Sequence, residues 1–446
     1  CSHLANLGCN STYYNSDVSI NNLTLSSGKF YIDQTSDVSI IDSAFKSDIG
    51  FNTINLTIKD TEISGDLDAR SNAHKADNVV IDNFTSGEQI GIEGLNLDIS
   101  NSLFGDYAVF DAEITHLNNV TIDTHLHGQI HDLRLENVGA HLGPNTLRVN
   151  KLWMSNSTLE DYSNSDYHIY VSDMDDTNNA SSSDIYIFNS SIKLYDHTHY
   201  GKSFVFNVNT TGNIRIIDSE INATNFETSK IELEGSNIWI TNSTLWSGTK
   251  YTGSGCHYRC TSEDLYSDLN IYSSDLEIVN SLLHSRTEAP NLDQESNRWM
   301  KTYNDVEISV DNLEIIDSSL TTYSYMNRIQ WSNSYRSVYS DIRIEATSFE
   351  SDNSTVMIEV GSPSEYNRGY IYPDLDIIIE GDNAIFDVSN SFVGIEEWTD
   401  SYGEEHIYVK ETNYTLNILD SEFRTHIYAC SHLANLGCNS TYYNSD

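Results

Sequence analysis

Carboxylates dominate the chemistry this chain could do. Its 446 residues carry 66 Asp and Glu against 23 Lys and Arg, a net charge of −43. With acids this abundant, any pair could be nominated for general acid–base work, so pairing alone selects nothing. Asp173, Asp175, Asp176 and Asp184 bracket a polar stretch offering oxygen ligands for calcium, without the Gly and Glu of an EF-hand loop. His125, His127 and His131 form a dense patch, with His125 and His127 on one side of a strand. That spacing suits a solvent-facing strand as well as a metal site. Cys256, His257 and Cys260 supply three zinc donors at an unusual spacing and no fourth. The expectation is a non-enzyme with no catalytic residue and no resident cofactor, to which calcium and N-linked glycans could be added.

The six cysteines suggest a compartment. Cys430 and Cys438 copy Cys1 and Cys9, and Cys256 and Cys260 are four residues apart. Two local pairs, Cys1–Cys9 and Cys256–Cys260, are the simplest of three connectivities, each stapling a loop. Disulfides imply an oxidising, extracellular setting. The Asn-x-Ser/Thr acceptors for N-glycosylation agree. Asn10, Asn179, Asn209 and Asn353 lie outside the strand phrase described below and are the better candidates. Asn55, Asn119, Asn222, Asn413 and Asn439 also match. Asn22, Asn83, Asn156, Asn189 and Asn242 match too, but at bends, where a buried amide ladder would exclude a sugar.

One segment stands apart from this acidic background. Thr321–Ser340 holds Tyr323, Tyr325, Arg328, Trp331, Tyr335, Arg336 and Tyr339. Aromatics with Arg suit a protein interface or a sugar-binding surface. They equally suit a loop packing on its own support. A nucleic-acid backbone and an anionic membrane are both repelled by the net charge. No apolar run approaches 18 residues, so no membrane insertion is expected in this segment.

The elements that must hold these groups are repetitive. Residues 430–446 reproduce residues 1–17 letter for letter, CSHLANLGCNSTYYNSD, a period of 429 residues. A shorter phrase recurs inside it: Asn or Asp, apolar, any, apolar, any, Asn or Asp, Ser or Thr, any, apolar. Copies start at Asp37, Asn55, Asn96, Asp184, Asn213, Asn237, Asp275 and Asn312. Looser ones start at Asp17, Asn78, Asn119, Asp132, Lys151, Asp341, Ile385 and Thr415. Apolar residues two apart make one side of a short strand, and Asn or Asp at its ends suits bends. Runs of period two, such as Phe204–Val208 and Val306–Val310, lie between copies. Helical periodicity is missing, and a repeat of this kind predicts stacked strands.

The expected fold is therefore all-β, a parallel β-solenoid of about fifteen or sixteen coils per period. It should span 1–446 as one domain, with 430–446 opening the next period. Long insertions at Trp246–Asp268, His284–Asn304, Thr321–Ser340 and Cys1–Tyr14 should stack as loops on one side. The four prolines, Pro144, Pro290, Pro363 and Pro373, should avoid the strand phrases.

The Ile-x-Asn-Ser-x-Leu wording of the phrase resembles the repeat of parallel β-helix proteins, including adhesin-like cell-surface proteins of archaea and bacteria. The resemblance covers most of the chain and implies a right-handed helix of three-faced coils. The 429-residue repeat points to an extracellular surface fibre assembled end to end from copies of itself, for which an adhesive role and surface glycans as partners are further expectations. The family also contains polysaccharide-degrading members, which makes a carbohydrate-binding or carbohydrate-cleaving protein the alternative. The Asn-Thr-Asp, Gly-His-Gly and Arg-Ile-Lys sets of the polygalacturonase type do not occur.

Overall fold

The computed structural model describes residues 17–69, 76–161, 167–172, 181–195, 203–225, 228–250, 265–289, 299–326, 335–361, 369–381, 383–397, 404–410 and 414–430. Among them every regular element is a strand, so the chain is all-β, and no helix is long and apolar enough to cross a membrane. The chain divides into two compact units, Cys1–Ser181 with Asn189–Ser191, and Ser182–Phe188 with Ile192–Asp446.

Parallel ladders build both units. In the first, Asp17–Asn21 pairs with Phe30–Ile41, which pairs with Ile49–Ile63, which pairs with Ala76–Ser86. In the second, Asn213–Ile217 pairs with Asn237–Thr241, which pairs with Leu265–Val279, which pairs with Trp299–Ile316. The pairing sets like against like: Ile214, Ile238, Leu276 and Leu313 follow one another, as do Ile216, Ile240, Ile278 and Ile315. All eight are buried. Each aliphatic chain so covered contributes about 1.5–3 kcal/mol relative to exposure.

The bends explain the phrase. Sixteen Asn or Asp residues, from Asn22 to Asp420, turn the chain with φ between 45 and 55°. That left-handed region costs most side chains about 1–2 kcal/mol and is tolerated by Asn and Asp. Successive corners in the first unit are 18 to 33 residues apart, and in the second 24 to 38. Two expected bends are misplaced. The copies starting at Asn119 and Asp341 put their second bend at Thr124 and Ala346, whereas the corners are Asn119 and Asn353.

The Ser after the bend has a role that its spacing did not reveal. In the second unit the backbone N–H of Ser243 donates to Ser281 Oγ at 3.0 Å, that of Ser281 to Ser318 Oγ at 3.0 Å, and that of Ser318 to Ser354 Oγ at 3.1 Å. Each hydroxyl in turn donates to the carbonyl two residues back, as Ser281 Oγ does to Val279 O at 2.7 Å. The corner therefore leaves neither amide nor hydroxyl unpaired in a buried position.

The prolines correct an expectation. Pro373 lies inside the strand Gly369–Glu380, opposite Ser340. The ladder on the other side of that strand begins only at Asp374, opposite Glu404. Pro144 lies within Gly139–Ser155 at a register shift between Leu142 and Leu147. Pro290 and Pro363 are outside the described residues.

Candidate functional site

The three long insertions of the second unit are not loops throughout. The strands Thr244–Lys250, Leu282–Ala289 and Ser319–Met326 leave the corners and pair in parallel, giving one wall. A second wall brings the chain back, with Leu265–Val279, Trp299–Ile316 and Tyr335–Ala346 also in parallel register. Residues 251–264, 290–298 and 327–334, which follow these outgoing strands in sequence, are outside the described residues.

The two walls are joined by hydroxyls. Ser247, Thr249, Ser285, Thr287, Thr322 and Ser324 point inward from the outgoing wall, and Ser267, Asn304 and Ser340 from the returning one; all are buried. Ser267 and Ser285 hydroxyls are 2.9 Å apart, and Ser340 Oγ donates to Thr322 Oγ1 at 3.0 Å. Asn304 Nδ2 donates to Tyr323 O at 3.0 Å and Ser324 Oγ at 3.1 Å, while its Oδ1 accepts from Ser285. Small side chains let the walls approach, and each bond offsets the desolvation of a buried polar group. The signal was present in the sequence as period-two hydroxyls, Ser247-x-Thr249, Ser285-x-Thr287 and Thr322-x-Ser324.

The outer faces carry the candidate chemistry. On the returning wall, Tyr266, Tyr303, Tyr339 and Tyr372 stack with ring centroids 4.9, 5.0 and 5.1 Å apart and interplanar angles of 5, 10 and 15°. Two residues on, Asp268, Asp305, Asp341 and Asp374 are in register on the same side. Parallel neighbours sit about 4.8 Å apart, so these carboxyls form a column of like charges beside the tyrosines. Burial, only partly opposed by Lys230, pushes Asp268 up to about 6. Burial and the neighbouring Asp268 and Glu307 push Asp305 up to about 7. Burial and the flanking Asp305, Asp374 and Asp376 do the same to Asp341, also to about 7. Asp305 Oδ1 is buried without a hydrogen-bond partner. Sequence reasoning passed over this column because single Asp residues 33 to 37 apart do not stand out in so acidic a chain.

On the outgoing wall the Arg286 guanidinium lies 4.7 Å from the Tyr323 ring centroid and 6.0 Å from that of Trp246. Such contacts stabilise by about 0.5–1 kcal/mol when exposed. Arg286 also pairs with Glu288. His284 Nδ1 is 2.6 Å from Thr321 Oγ1, and burial with the nearby Arg286 pushes its imidazole down to about 4. At neutral pH His284 is uncharged.

The expected interface residues are thus separated. Tyr323 and Tyr325 stack on the outgoing wall at 6.2 Å, whereas Tyr339 belongs to the tyrosine column of the returning wall. Tyr335 and Arg336 open the strand Tyr335–Ala346, opposite Trp299 and Met300. Arg328 and Trp331 lie outside the described residues.

A second row of acids, Glu277, Glu314 and Glu350, lines a shallow groove with Trp239. Burial and the two flanking glutamates raise Glu314. Of the proposed calcium ligands only Asp184 is described. Its Oδ1 accepts the Asn213 backbone N–H at 2.8 Å, which lowers its pKa. Asp173, Asp175 and Asp176 lie outside the described residues, among which no cluster suited to a metal ion is found. His125 stacks on Tyr107 at 4.1 Å, and burial lowers its pKa; His131 faces Glu113 at 3.7 Å.

The sequons distribute along the ladders. Asn353, expected outside the phrase, occupies a corner and donates to Asp317 Oδ1 at 2.6 Å. Asn119 is also a corner and donates to Asn101 Oδ1 at 2.9 Å. These corner amides are paired yet exposed, so the ladder is not the buried one envisaged. Asn55 donates to Asp37 at 2.7 Å, and Asn222 Oδ1 accepts from Thr224 at 2.6 Å. Asn209 ends the strand Ser203–Asn209 with its Oδ1 buried and unpartnered. Asn10, Asn179, Asn413 and Asn439 lie outside the described residues, as do Cys1, Cys9, Cys256, Cys260 and Cys438. For Cys430 only the backbone is described, opposite Lys410.

Comparison with family models, with curated proteins and with solved structures gives no match.

Proposed function

We propose that each unit is an open stack of parallel β-solenoid coils, and that the chain is one repeating segment of an extracellular surface fibre. The observation that carries the reading is the forward register. Within each unit the described pairings lead from one strand to a later one, with corner meeting corner; a closed barrel would have to return its last strand to its first. The 17-residue identity between 1–17 and 430–446 supports tandem repetition of the segment. The role would then be mechanical. Continuous backbone ladders and the corner serines resist separation of coils, and the acidic coat opposes lateral clumping. Disulfides, N-glycans and a place at the cell surface of an archaeon or bacterium belong to the same reading.

The carbohydrate alternative draws on the aromatic surface. The tyrosine column weakens it, because a sugar ring stacks on an aromatic face and these faces are turned to one another. Electron microscopy and denaturing mass measurement of native material test the fibre. Filaments whose denatured chains are many times one period would support a genetic array. Isolated globules, or cleavage of a polysaccharide by the 446-residue chain, would remove the reading.

A further inference from the structure

The outermost strands are each paired on one side, and their inward residues show it. Val18 and Ile20 are half-exposed, although Val38 and Ile40, their ladder partners, are buried. At the other end Ile418 is 42% exposed while its partner Val388 is buried, and Leu416 is half-exposed while Phe386 is buried. These are core side chains with one flank uncovered.

Resting on the fibre reading, we infer that the edge of Tyr414–Leu419 is the docking face for the strand Asp17–Asn21 of a second copy of this chain. The occupant is identified by phase and by chemistry. Because 430–446 repeats 1–17, a following copy supplies Val18 directly after the position of Asp446. Its Asn22 then follows the corner Asp420 at a spacing within the 18 to 38 residues that separate corners elsewhere. With corner on corner, Val18 meets Leu416, Ile20 meets Ile418 and Leu25 meets Phe423, all apolar on apolar.

The corner pair fits as well. Wherever an Asn follows an Asp in the corner column, its amide donates to that carboxylate: Asn83 to Asp60 at 2.6 Å, Asn242 to Asp218 at 2.5 Å, Asn353 to Asp317 at 2.6 Å. Asn22 after Asp420 has the same order. Its Nδ2 would donate to Asp420 Oδ1, and the Asp420 backbone N–H would donate to the Asn21 carbonyl, as Asn390 N–H donates to Leu419 O at 2.9 Å. Thr415 and Asn417 meet Asp17 and Ser19, so this register opposes no two like charges despite the net charge of −43.

The joint is heterologous, with one face at each end, and that property makes it testable. The 446-residue chain should form head-to-tail oligomers by sedimentation velocity as its concentration rises. Ile20→Asp blocks one face and Ile418→Asp the other, each weakening association by about a hundredfold or more through a buried charge. Far-UV circular dichroism and the denaturation midpoint verify that each variant remains folded. Mixed in equal amounts, the two variants retain a single complementary pair of faces and should give a dimer and nothing larger. In parallel, the Ser19→Cys/Asn417→Cys chain should yield an intermolecular disulfide between those two positions, identified by mass spectrometry. Oligomers that survive both substitutions would overturn this docking and leave the fibre standing. A parent chain that does not associate, or a Ser19→Cys/Asn417→Cys chain that does not cross-link, overturns the docking too; the fibre reading is decided separately on native material.

Discussion

The two units share a buried apolar core and differ in what is built between their corners. In the first, between Asn22 and Asn156, each step is short and the post-corner strand is as brief as Thr24–Leu25 or Ala44–Phe45. Buried rings run through it, with Phe84 5.9 Å from Phe104 and Phe104 6.2 Å from Phe110, just as Phe349 lies 5.3 Å from Phe386 in the second unit. In the second, the steps lengthen to as many as 38 residues, and the extra chain becomes an outgoing and a returning wall closed by hydroxyls. Apolar filling needs volume and tolerates geometry; a hydroxyl seam needs little volume but demands a partner for every group. Length added between corners therefore need not be loop, provided its inward positions are small and mutually bonded.

The comparison can be broken most sharply at Phe104. Phe104→Ala removes a fully buried ring and should cost about 3–5 kcal/mol. Hydrogen exchange should show the loss in Ile90–Phe104 and its neighbours, with protection in the second unit unchanged; equal loss in both would mean that the units do not respond separately. Next in size, Asn304→Ala strips the seam of a residue that bonds Ser285, Tyr323 and Ser324, at a cost of about 1–3 kcal/mol. Exchange at Thr322–Ser324 should accelerate while the first unit is silent.

A feature common to both units should respond alike. Asn101→Ala and Asn280→Ala each force a Cβ-bearing residue without a polar side chain into the left-handed corner, costing about 1–2 kcal/mol by denaturant titration. Glycine at either position should recover much of the loss. A corner in one unit that tolerates alanine would show that its conformation is imposed by the walls.

The smallest effect separates the units by pH. The carboxyls of Asp268, Asp305 and Asp341 rise from 3.8 to about 6, about 7 and about 7 on folding, so folding favours their protonated forms. Their contribution to stability is fully present below about pH 3.8 and is lost as pH rises through 6 to 7. Asp184, lowered by the Asn213 amides, runs the other way: its contribution is present above its unfolded pKa and lost as pH falls. The second unit should therefore melt higher at pH 5 than at pH 8. Asp305→Asn should raise the melting temperature at pH 8 by about 2–4 °C, for a gain of about 1 kcal/mol, and flatten the profile. A calorimetric profile that is no flatter in the variant would show that the column does not titrate as a group.

The corners were legible because one physical need, a left-handed bend with a paired amide, selects Asn or Asp each time. Asn119 was missed because Thr115 stands where the phrase has its first apolar residue. Asn353 was missed because Ser351 replaces the second aliphatic residue and bonds Ser391 at 3.0 Å. The walls were hidden for a related reason: Ser and Thr read as loop residues when burial is judged by apolarity. The columns of Tyr and Asp were invisible because their members become neighbours only through the register, 33 to 37 positions apart.

The corner serines and asparagines fix where the chain bends, but not how many residues separate one bend from the next. A gene encoding such a chain could absorb insertions and deletions between corners without losing phase. Related sequences should then differ in length mostly between corners, while the Asn/Asp–Ser dipeptides drift least. The corners would then keep an invariant metre while the lengths between them vary.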